Sequence, residues 1–276
     1  MMEKIAVKTI GWLINISSYI SKSYAADKAL ALFGTPRRGN ITETQSDFLD
    51  TAYKEEFNYD NLPIMTYRWI GKKQTILLAH GWESNSARWK NLINYLNKKD
   101  FNIIAIDAPA HGKSGGKLFN AIAYSEFINV IAKRFQPDIL IGHSVGGMAT
   151  VLFQHKYQME SIKKLILLGA PSEFTDVLQR YSDMLGYNER IRTQIKLTII
   201  DSFGKAPEDF STAKFSEHIS SKGLIIHDSD DRIIPYEDAV LINQSFKNSK
   251  LITTKGFGHS LNNEIVTNHI YEFLDD

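Results

Sequence analysis

The sequence contains no cysteine. Disulfide bridges and thiolate metal sites are therefore excluded, and because a cysteine-free chain suits a reducing compartment, we expect a cytoplasmic protein. An excess of one charge is also missing, since 32 Lys and Arg stand against 31 Asp and Glu, a formal net charge of +1. Without a basic excess to displace counterions from phosphates, we expect no binding to nucleic acid.

Long apolar runs are absent as well. The apolar stretch nearest the start, residues 5–20, is interrupted by Lys8, Asn15 and two serines. It is too short and too polar for a transmembrane helix, and it lacks the purer apolar run and the cleavage site of a signal peptide. The spacing predicts an amphipathic helix that packs on the body of the protein, with contact at a membrane surface as the alternative.

Two ligand-binding patterns cannot be found in the sequence. Its His and Asp residues do not stand at the spacing of metal ligands. No glycine-rich phosphate loop opens a helix in the dinucleotide-binding pattern. We therefore expect neither a metal nor a nucleotide cofactor.

The chain does have enough apolar material for one sizeable core, with 276 residues of which 43% are hydrophobic. Residues 1–33 are predicted to be helical, with a stop at Gly34 and Pro36, and residues 42–57 form a second predicted helix. From residue 63 onward, short aliphatic runs alternate with helical patterns, which predicts a mostly parallel sheet covered by helices on both faces. We predict the α/β class, with an N-terminal helical extension over residues 1–62 and an α/β domain over residues 63–276.

One predicted connection is unusually long. Residues 171–218 separate two aliphatic runs and contain two apolar stripes at helical spacing. A helical insertion of this length between two sheet strands is usually functional, and we expect it to form a lid over a site.

The segment Gly142-His143-Ser144-Val145-Gly146 follows one of the aliphatic runs and opens a helical pattern. A serine in this strand–turn–helix context forms a nucleophile elbow. Its backbone is strained, so its neighbours must be small, and the turn lifts the hydroxyl above the end of the sheet. The helix N-terminus also favours a developing anion there, because its partial charge is positive. Ser144 is therefore the candidate nucleophile.

With this motif the chain resembles the α/β-hydrolase superfamily from about residue 67 to residue 276, and the resemblance implies that fold. The segment His80-Gly81-Trp82 is similar to the oxyanion loop of the family. The resemblance implies that the backbone N–H groups of Trp82 and Val145 bind the oxyanion, which is usually the largest single catalytic contribution.

A second segment, residues 107–114, is similar to a turn of the family that follows the next strand. Ala110 stands where glycine is commoner. That turn is structural in most members, so we expect structural roles for His80 and His111.

The resemblance also implies an acid and a base, in the chain order nucleophile, acid, histidine. Residues 227–235 are similar to the acid loop of the family, and the register assigns the acid to Asp231, with the neighbouring Asp230 as the alternative. The spare acids, Asp228 and Asp230, are expected on a solvated face of the loop. His259 follows a glycine-rich loop in the position of the base.

These residues together imply acyl transfer. His259 takes the proton of Ser144, Asp231 orients the imidazole, and water hydrolyses the acyl-enzyme. We expect a serine hydrolase of the carboxylesterase kind, with a small-molecule acyl substrate as its partner.

Other functions remain open on the same residues. A thioesterase, a C–C bond hydrolase and a perhydrolase would use the same triad. A lipid hydrolase held at a membrane surface by the N-terminal helix is a further alternative. So is a non-catalytic binding member of the fold, although such members normally lose a triad residue. The oligomeric state does not follow from the sequence.

Overall fold

The computed structural model describes residues 2–276 and contains one mixed sheet over that range. Its strands are β1 (Tyr53–Tyr59), β2 (Leu62–Trp69), β3 (Thr75–Ala79), β4 (Asn102–Ile106), β5 (Ile139–His143), β6 (Lys164–Leu168), β7 (Lys222–Asp228) and β8 (Ser249–Thr254). They lie side by side in the order β1-β2-β4-β3-β5-β6-β7-β8. The β1–β2 and β2–β4 pairs are antiparallel and all the others are parallel.

Helices fill most of the connections between the strands. They are α1 (Met2–Ile20), α2 (Lys22–Gly34), α3 (Glu43–Leu49), α4 (Lys90–Asn97), α5 (Ala121–Phe135), α6 (Val145–Tyr157), α7 (Phe174–Leu185), α8 (Glu189–Phe203), α9 (Thr212–Ser216), α10 (Tyr236–Ser245) and α11 (Glu264–Asp275). Short 3₁₀ turns occupy Ser86–Trp89, Pro207–Asp209 and Gly258–Ser260. The predicted α/β class with a mostly parallel sheet is confirmed.

Two helix predictions near the N-terminus need correction. Of the helix predicted over residues 1–33, residue 1 lies outside the described residues. The rest forms two helices, because Ser21 interrupts the helical stretch and its hydroxyl accepts a hydrogen bond from the N–H of Tyr24 at 3.2 Å, which starts α2. Residues 42–57 are helical only as far as Leu49, and the chain then enters β1. The first four residues of β1 are exposed and polar or aromatic at an edge of the sheet, so no buried alternation marks them as a strand in the sequence.

The chain divides into two compact units. The helical unit joins the described residues up to Thr35 with Glu173–Ser211, and the sheet unit joins Pro36–Ser172 with Thr212–Asp276. This division differs from the expected one at residue 62, since the N-terminal helices pack with the inserted helices and the first strand belongs to the sheet. That the insertion forms a lid stays a prediction.

The core of the helical unit comes from four helices. Small residues of α2, Ala25, Ala26 and Ala29, pack against Ile191 and Ile195 of α8, and all five are buried. Further apolar residues of α1 and α7 close this core. None of the helices in the described part of the chain is both long and apolar enough to cross a bilayer.

The core of the sheet unit lies on the central parallel strands. On one face, α3, α4 and α11 cover alternate strand residues such as Ile76, Ile103 and Ile141. The intervening residues, such as Leu77 and Leu140, point to the opposite face because side chains alternate along a strand, and they are equally buried. The carboxyl ends of β3, β5 and β7 therefore meet at one edge of a rigid sheet, where loops can carry a site.

Candidate active site

Ser144 lies in a sharp turn between β5 and α6. Its backbone has φ 53° and ψ −129°, a left-handed conformation that is rare for a residue with a side chain. The N–H of Ser144 donates to the carbonyl of Leu168 at the end of β6, at 2.8 Å. This bond and the start of α6 hold the strained turn, and the side chain emerges at the carboxyl end of the sheet.

Glycines around Ser144 allow close contacts between backbones. A Cβ on Gly142 would lie 2.5 Å from the Cα of Gly147. A Cβ on Gly146 would lie 2.4 Å from the carbonyl oxygens of Ala79 and His80. Any larger residue would therefore separate α6 from β5 or from β3, which explains the glycines of the motif in physical terms.

The oxyanion donors inferred from the sequence flank this turn. Val145 is the first residue of α6, and within the described chain neither its N–H nor that of Trp82 donates to a protein acceptor. The loop before Trp82 is close to the serine, since a Cβ on Gly81 would lie 3.0 Å from the Cβ of Ser144. The positive end of the helix dipole adds to the attraction for an anion at this point.

His259 lies within hydrogen-bond distance of both other members of the predicted triad. Its Nε2 is 3.0 Å from the Oγ of Ser144, and its Nδ1 is 2.7 Å from an Oδ of Asp231. The imidazole is carried by the 3₁₀ turn Gly258–Ser260 after β8, and it is 19% exposed. An incoming substrate can therefore reach a base that is already hydrogen-bonded to the serine.

Asp231 is the acid that contacts His259, and Asp230 is exposed on the loop surface. Burial alone would raise the pKa of the Asp231 carboxyl, but its polar neighbours outweigh burial and hold that pKa far below its usual range. They are the adjacent side chain of His227, the side chain of His259 and the backbone N–H groups of Ile233 and Ile234, of which the last three are hydrogen-bonded to the carboxylate. A carboxylate that stays ionised in this way can orient and stabilise an imidazolium.

The expectation that Asp228 lies on a solvated face is wrong, because this residue is fully buried at the end of β7. Its carboxylate accepts hydrogen bonds from the hydroxyl of Thr254 at 2.8 Å and from the N–H of Phe257 at 2.9 Å. Burial raises the pKa of the Asp228 carboxyl, but the hydrogen bonds lower it by more, so the net shift is downward. Asp228 thereby ties the loop that carries His259 to the end of β7.

His143 is a second group that sequence reasoning missed. Its Nε2 donates to the backbone carbonyl of His259 at 2.8 Å, and the two rings lie 4.9 Å apart between centroids. Burial, with a smaller contribution from nearby Arg88, lowers the pKa of His143 well below its usual value, so the ring is neutral. Because the two residues are 116 positions apart in the chain, no local sequence pattern predicts this contact.

His227 supports the acid from the other side. Its Nε2 donates to the carbonyl of Ile234 at 3.0 Å and lies 3.4 Å from an Oδ of Asp231. The side chain is completely buried. The loop after β7 is therefore fixed by a histidine at its base as well as by Asp231.

His80 and His111, for which structural roles are expected, accept hydrogen bonds that connect the loops near Trp82. His80 accepts from the N–H of Ala108 at 3.0 Å, and His111 accepts from the N–H of Glu83 at 3.0 Å. Burial lowers the pKa of His80 to about 3 and also lowers that of His111. Both rings are therefore neutral acceptors at neutral pH.

Asp107 anchors the turn at residues 107–114. Its buried carboxylate accepts from the N–H and hydroxyl of Ser86 and from the N–H of Lys113, at 2.7 to 2.9 Å. Burial raises the pKa of Asp107 despite these bonds. Among the described residues, no group of three or more His, Asp or Glu side chains is arranged to hold a metal ion. The expectation of no cofactor stays a prediction.

The mixed sheet and the serine elbow at its carboxyl edge together define an α/β-hydrolase fold. A family model for the alpha/beta hydrolase fold matches residues 74–192, from β3 into α8. This match supports the resemblance to the α/β-hydrolase superfamily that the sequence motifs indicate.

Named relatives lie at low sequence identity. The chain is 22% identical to the AB hydrolase superfamily protein YisY of Bacillus subtilis over 231 residues, which cover 69% of this chain and 86% of that protein. It is 24% identical to the bifunctional esterase/perhydrolase DCH of Acinetobacter calcoaceticus over 236 residues, covering 67% and 85%. The solved structure of Est1E from Butyrivibrio proteoclasticus with bound ferulic acid superposes with a TM-score of 0.66 at 21% identity, covering 80% and 97%.

Proposed function

We propose that this protein is a serine hydrolase that cleaves carboxylic esters through an acyl-enzyme on Ser144. The observation that carries the proposal is the unbroken chain of hydrogen bonds from Ser144 through His259 to Asp231, with lengths of 3.0 and 2.7 Å. A serine hydroxyl is a weak nucleophile unless a base removes its proton, and this chain supplies the base together with a group that orients it.

The proposed first half-reaction forms the acyl-enzyme. The Oγ of Ser144 attacks the ester carbonyl while Nε2 of His259 takes the hydroxyl proton. The negative charge moves to the carbonyl oxygen, and the N–H groups of Trp82 and Val145 are proposed to donate to it. The imidazolium then gives its proton to the leaving alkoxide, and the alcohol departs.

The proposed second half-reaction uses the same groups with water as the nucleophile. His259 takes a proton from water, the resulting hydroxide attacks the acyl carbon, and the proton returns to the Oγ of Ser144 as the carboxylic acid leaves. Throughout both halves, the ionised Asp231 stabilises the positive charge on His259.

The substrate is proposed to have an apolar acyl part. The indole of Trp82 lies edge-on to the rings of His111 and Phe119, at 5.3 and 5.4 Å, next to the oxyanion loop. Such a cluster offers an apolar wall to an acyl chain or ring. The related esterase/perhydrolase supports the ester over a thioester or C–C bond and keeps a perhydrolase reaction as the second candidate.

A panel of p-nitrophenyl esters of increasing acyl length, followed by acyl-CoA thioesters, tests the proposal. We expect ester turnover by the wild type, a fall of about 10³-fold or more for Ser144→Ala, and no loss for the exposed control Ser229→Ala. Turnover of thioesters alone would reassign the substrate class. Absence of turnover on the whole panel would favour a non-catalytic member of the fold.

A further inference from the structure

Helix α1 has one face that packs within the helical unit. Val7, Ile10 and Ile14 lie against the core formed with α2 and α8. Gly11 is buried so closely against α7 that a Cβ there would lie 1.7 Å from the carbonyl oxygen of Leu185. The orientation of the helix about its own axis is therefore fixed.

The opposite face of α1 is apolar and exposed. It consists of Trp12 (59% exposed), Leu13 (54%), Ile16 (43%), Tyr19 (71%) and Ile20 (89%), and we call it the outer face. At about 100° per residue these five positions fall within roughly a third of the helix circumference. Scattered single apolar residues are normal on a protein surface, but a continuous stripe of this kind marks a surface that contacts something else.

The composition of the outer face matches a membrane interface better than a protein contact. Its two aromatic rings belong to Trp12 and Tyr19, the residue types that are enriched where lipid headgroups meet the hydrocarbon. Ile16 and Ile20 are short branched chains that can enter the acyl region from a helix lying in the plane of the surface. The face continues to Tyr24 at the start of α2, which is 55% exposed.

Cationic side chains flank the outer face. Lys8 on α1 and Lys22 at the start of α2 are both exposed. The exposed side chain of Arg190 in α8 lies over the ring of Tyr19, 5.0 Å from its centroid, and Lys28 lies 5.3 Å from the centroid of Tyr24. A cation held beside an interfacial aromatic ring can contact a lipid phosphate while the ring enters the bilayer.

We propose that the outer face of α1 docks the protein on an anionic lipid bilayer. The helix lies in the interface with its outer half among the headgroups and upper acyl chains, while its inner half stays packed on the helical unit. Docking is a binding function that adds to the proposed ester hydrolysis and does not depend on it.

Vesicle co-sedimentation of the full chain tests the docking. The vesicles are phosphatidylcholine with about 30 mol% phosphatidylglycerol, compared with pure phosphatidylcholine. We expect wild-type protein to bind the anionic vesicles and the triple variant Trp12→Gln/Ile16→Gln/Ile20→Gln to bind at least about tenfold more weakly, because its apolar contact is lost. Glutamine is a good helix former, so α1 is expected to persist.

A matched control keeps the number of lost apolar residues constant. Ile70→Gln/Leu241→Gln/Ile265→Gln replaces three exposed apolar residues of the sheet unit, which are 58%, 42% and 52% exposed. This variant is expected to bind vesicles like the wild type. Equal loss in the two triple variants, or absence of wild-type binding, would overturn the proposal.

The insertion of Trp12 gives a second readout. In the Trp69→Phe/Trp82→Phe/Trp89→Phe background, the emission of Trp12 should shift to the blue on adding anionic vesicles and be quenched by brominated acyl chains. Unchanged emission would contradict docking by this face. If ultracentrifugation instead shows a dimer that the outer-face variant dissociates, with no vesicle binding, the occupant is a second copy of the chain and the proposal is wrong.

The contribution of charge to vesicle binding is tested separately. Lys8→Glu/Lys22→Glu should weaken binding to anionic vesicles, and added NaCl should weaken wild-type binding in the same direction, because surface charges are screened by salt. Equal affinity for the anionic and the neutral vesicles would contradict an anionic surface as the partner.

Discussion

Asp231 and Asp230 are neighbours in sequence but differ completely in environment. The carboxylate of Asp231 is inaccessible to solvent and bound to His259, while Asp230 faces solvent. Register alone favoured Asp231, and only the three-dimensional contact separates the two acids. The same contact explains why Asp231 stays ionised, since its donors are all in place before substrate arrives.

Replacement of these two acids by asparagine should therefore give very different enzymes. Asp231→Asn removes the charge that stabilises the imidazolium and is expected to lower kcat by about 10⁴-fold. Asp230→Asn should leave kcat close to the wild type. Steady-state hydrolysis of the best p-nitrophenyl ester measures both. A larger loss in the Asp230 variant would show that the acid has been misassigned.

His143 holds the turn that carries His259, the proposed base. Its N–H holds the carbonyl of His259, and its ring packs on the imidazole, so it restricts the turn that carries the base. It hydrogen-bonds the backbone carbonyl of His259 and not Ser144 or Asp231, and it acts on the reaction only through His259, which makes it a positioning residue. A misplaced base lowers the rate of proton transfer without weakening the binding of substrate.

His143→Phe keeps a ring but removes the donor, and we expect kcat to fall about tenfold with KM little changed. His143→Gln restores an N–H at a similar reach and should recover part of the loss. Rates and KM for the two variants distinguish positioning from general damage. If both variants lose stability and activity equally, the hydrogen bond to His259 has no specific role.

Helix α1 and the inserted helices are joined by contacts that span most of the chain. The Asn15 side chain donates to the carbonyl of Gly186 at 2.8 Å and accepts from the N–H of Asn188 at 2.9 Å. Gly11 allows α1 to approach the end of α7 at the same place. These partners are more than 170 residues apart, and their pairing has no signature in the local sequence.

Gly11→Ala should separate α1 from α7, because the added methyl group overlaps the carbonyl of Leu185. Alanine favours helix more than glycine does, so any destabilisation must come from the clash and not from α1 itself. We expect a loss of about 1–3 kcal/mol in the helical unit. Hydrogen exchange of α1 amides reports it, with the exposed Ser23→Ala as control. Unchanged exchange would show that the contact is not tight.

The sequence predicts some of the strands better than others. The aliphatic strands β3 to β7 lie where the sequence predicts them, because a strand buried on both faces needs a continuous apolar run. The edge strand β8 is also predicted, because Leu251 and Ile252 form a short apolar run. β1 is not predicted, because residues such as Lys54 and Glu55 lie at an exposed edge of the sheet and show no buried alternation. The strand is held in place by its antiparallel pairing with β2. Local patterns thus indicate strands that contain an apolar run, and an exposed edge strand such as β1 depends on tertiary pairing.

Buried neutral histidines affect the molecule as a whole. His80, His111 and His143 all have pKa values lowered mainly by burial, and each would be protonated more readily in the unfolded chain. Below pH 6.5 the unfolded state therefore binds more protons, and stability falls as the pH falls. Asp228 and Asp231, with lowered pKa values, remain ionised over that range, so their stabilising contribution is lost only at more acidic pH.

The free energy of unfolding should accordingly be lower at pH 5 than at pH 7.5. With its pKa lowered to about 3, His80 alone accounts for a loss of about 2 kcal/mol at pH 5. In His80→Gln the difference between the two pH values should shrink by that amount. Urea unfolding at both pH values measures it, with the partly exposed His269→Gln as control. An unchanged difference in His80→Gln would contradict a neutral His80.

The architecture and the candidate triad could be predicted because each depends on short segments in a fixed order. The elbow, the acid loop and the histidine loop each follow a strand whose apolar run is visible in the sequence. The division into units could not be predicted, since it depends on which helices α1 and α2 pack against. The roles of Asp228 and His143 could not be predicted from the sequence either, because they arise from burial and from contacts with the loop that carries His259.

Labelling with a fluorophosphonate probe tests the nucleophilic role of Ser144 most directly, since the probe reacts only with a serine activated by its base. The wild type and Ser229→Ala should be labelled equally, with the adduct on the peptide that contains Ser144. Ser144→Ala should not be labelled at all. Equal labelling of the wild type and Ser144→Ala, or an adduct on a different serine, would contradict the account.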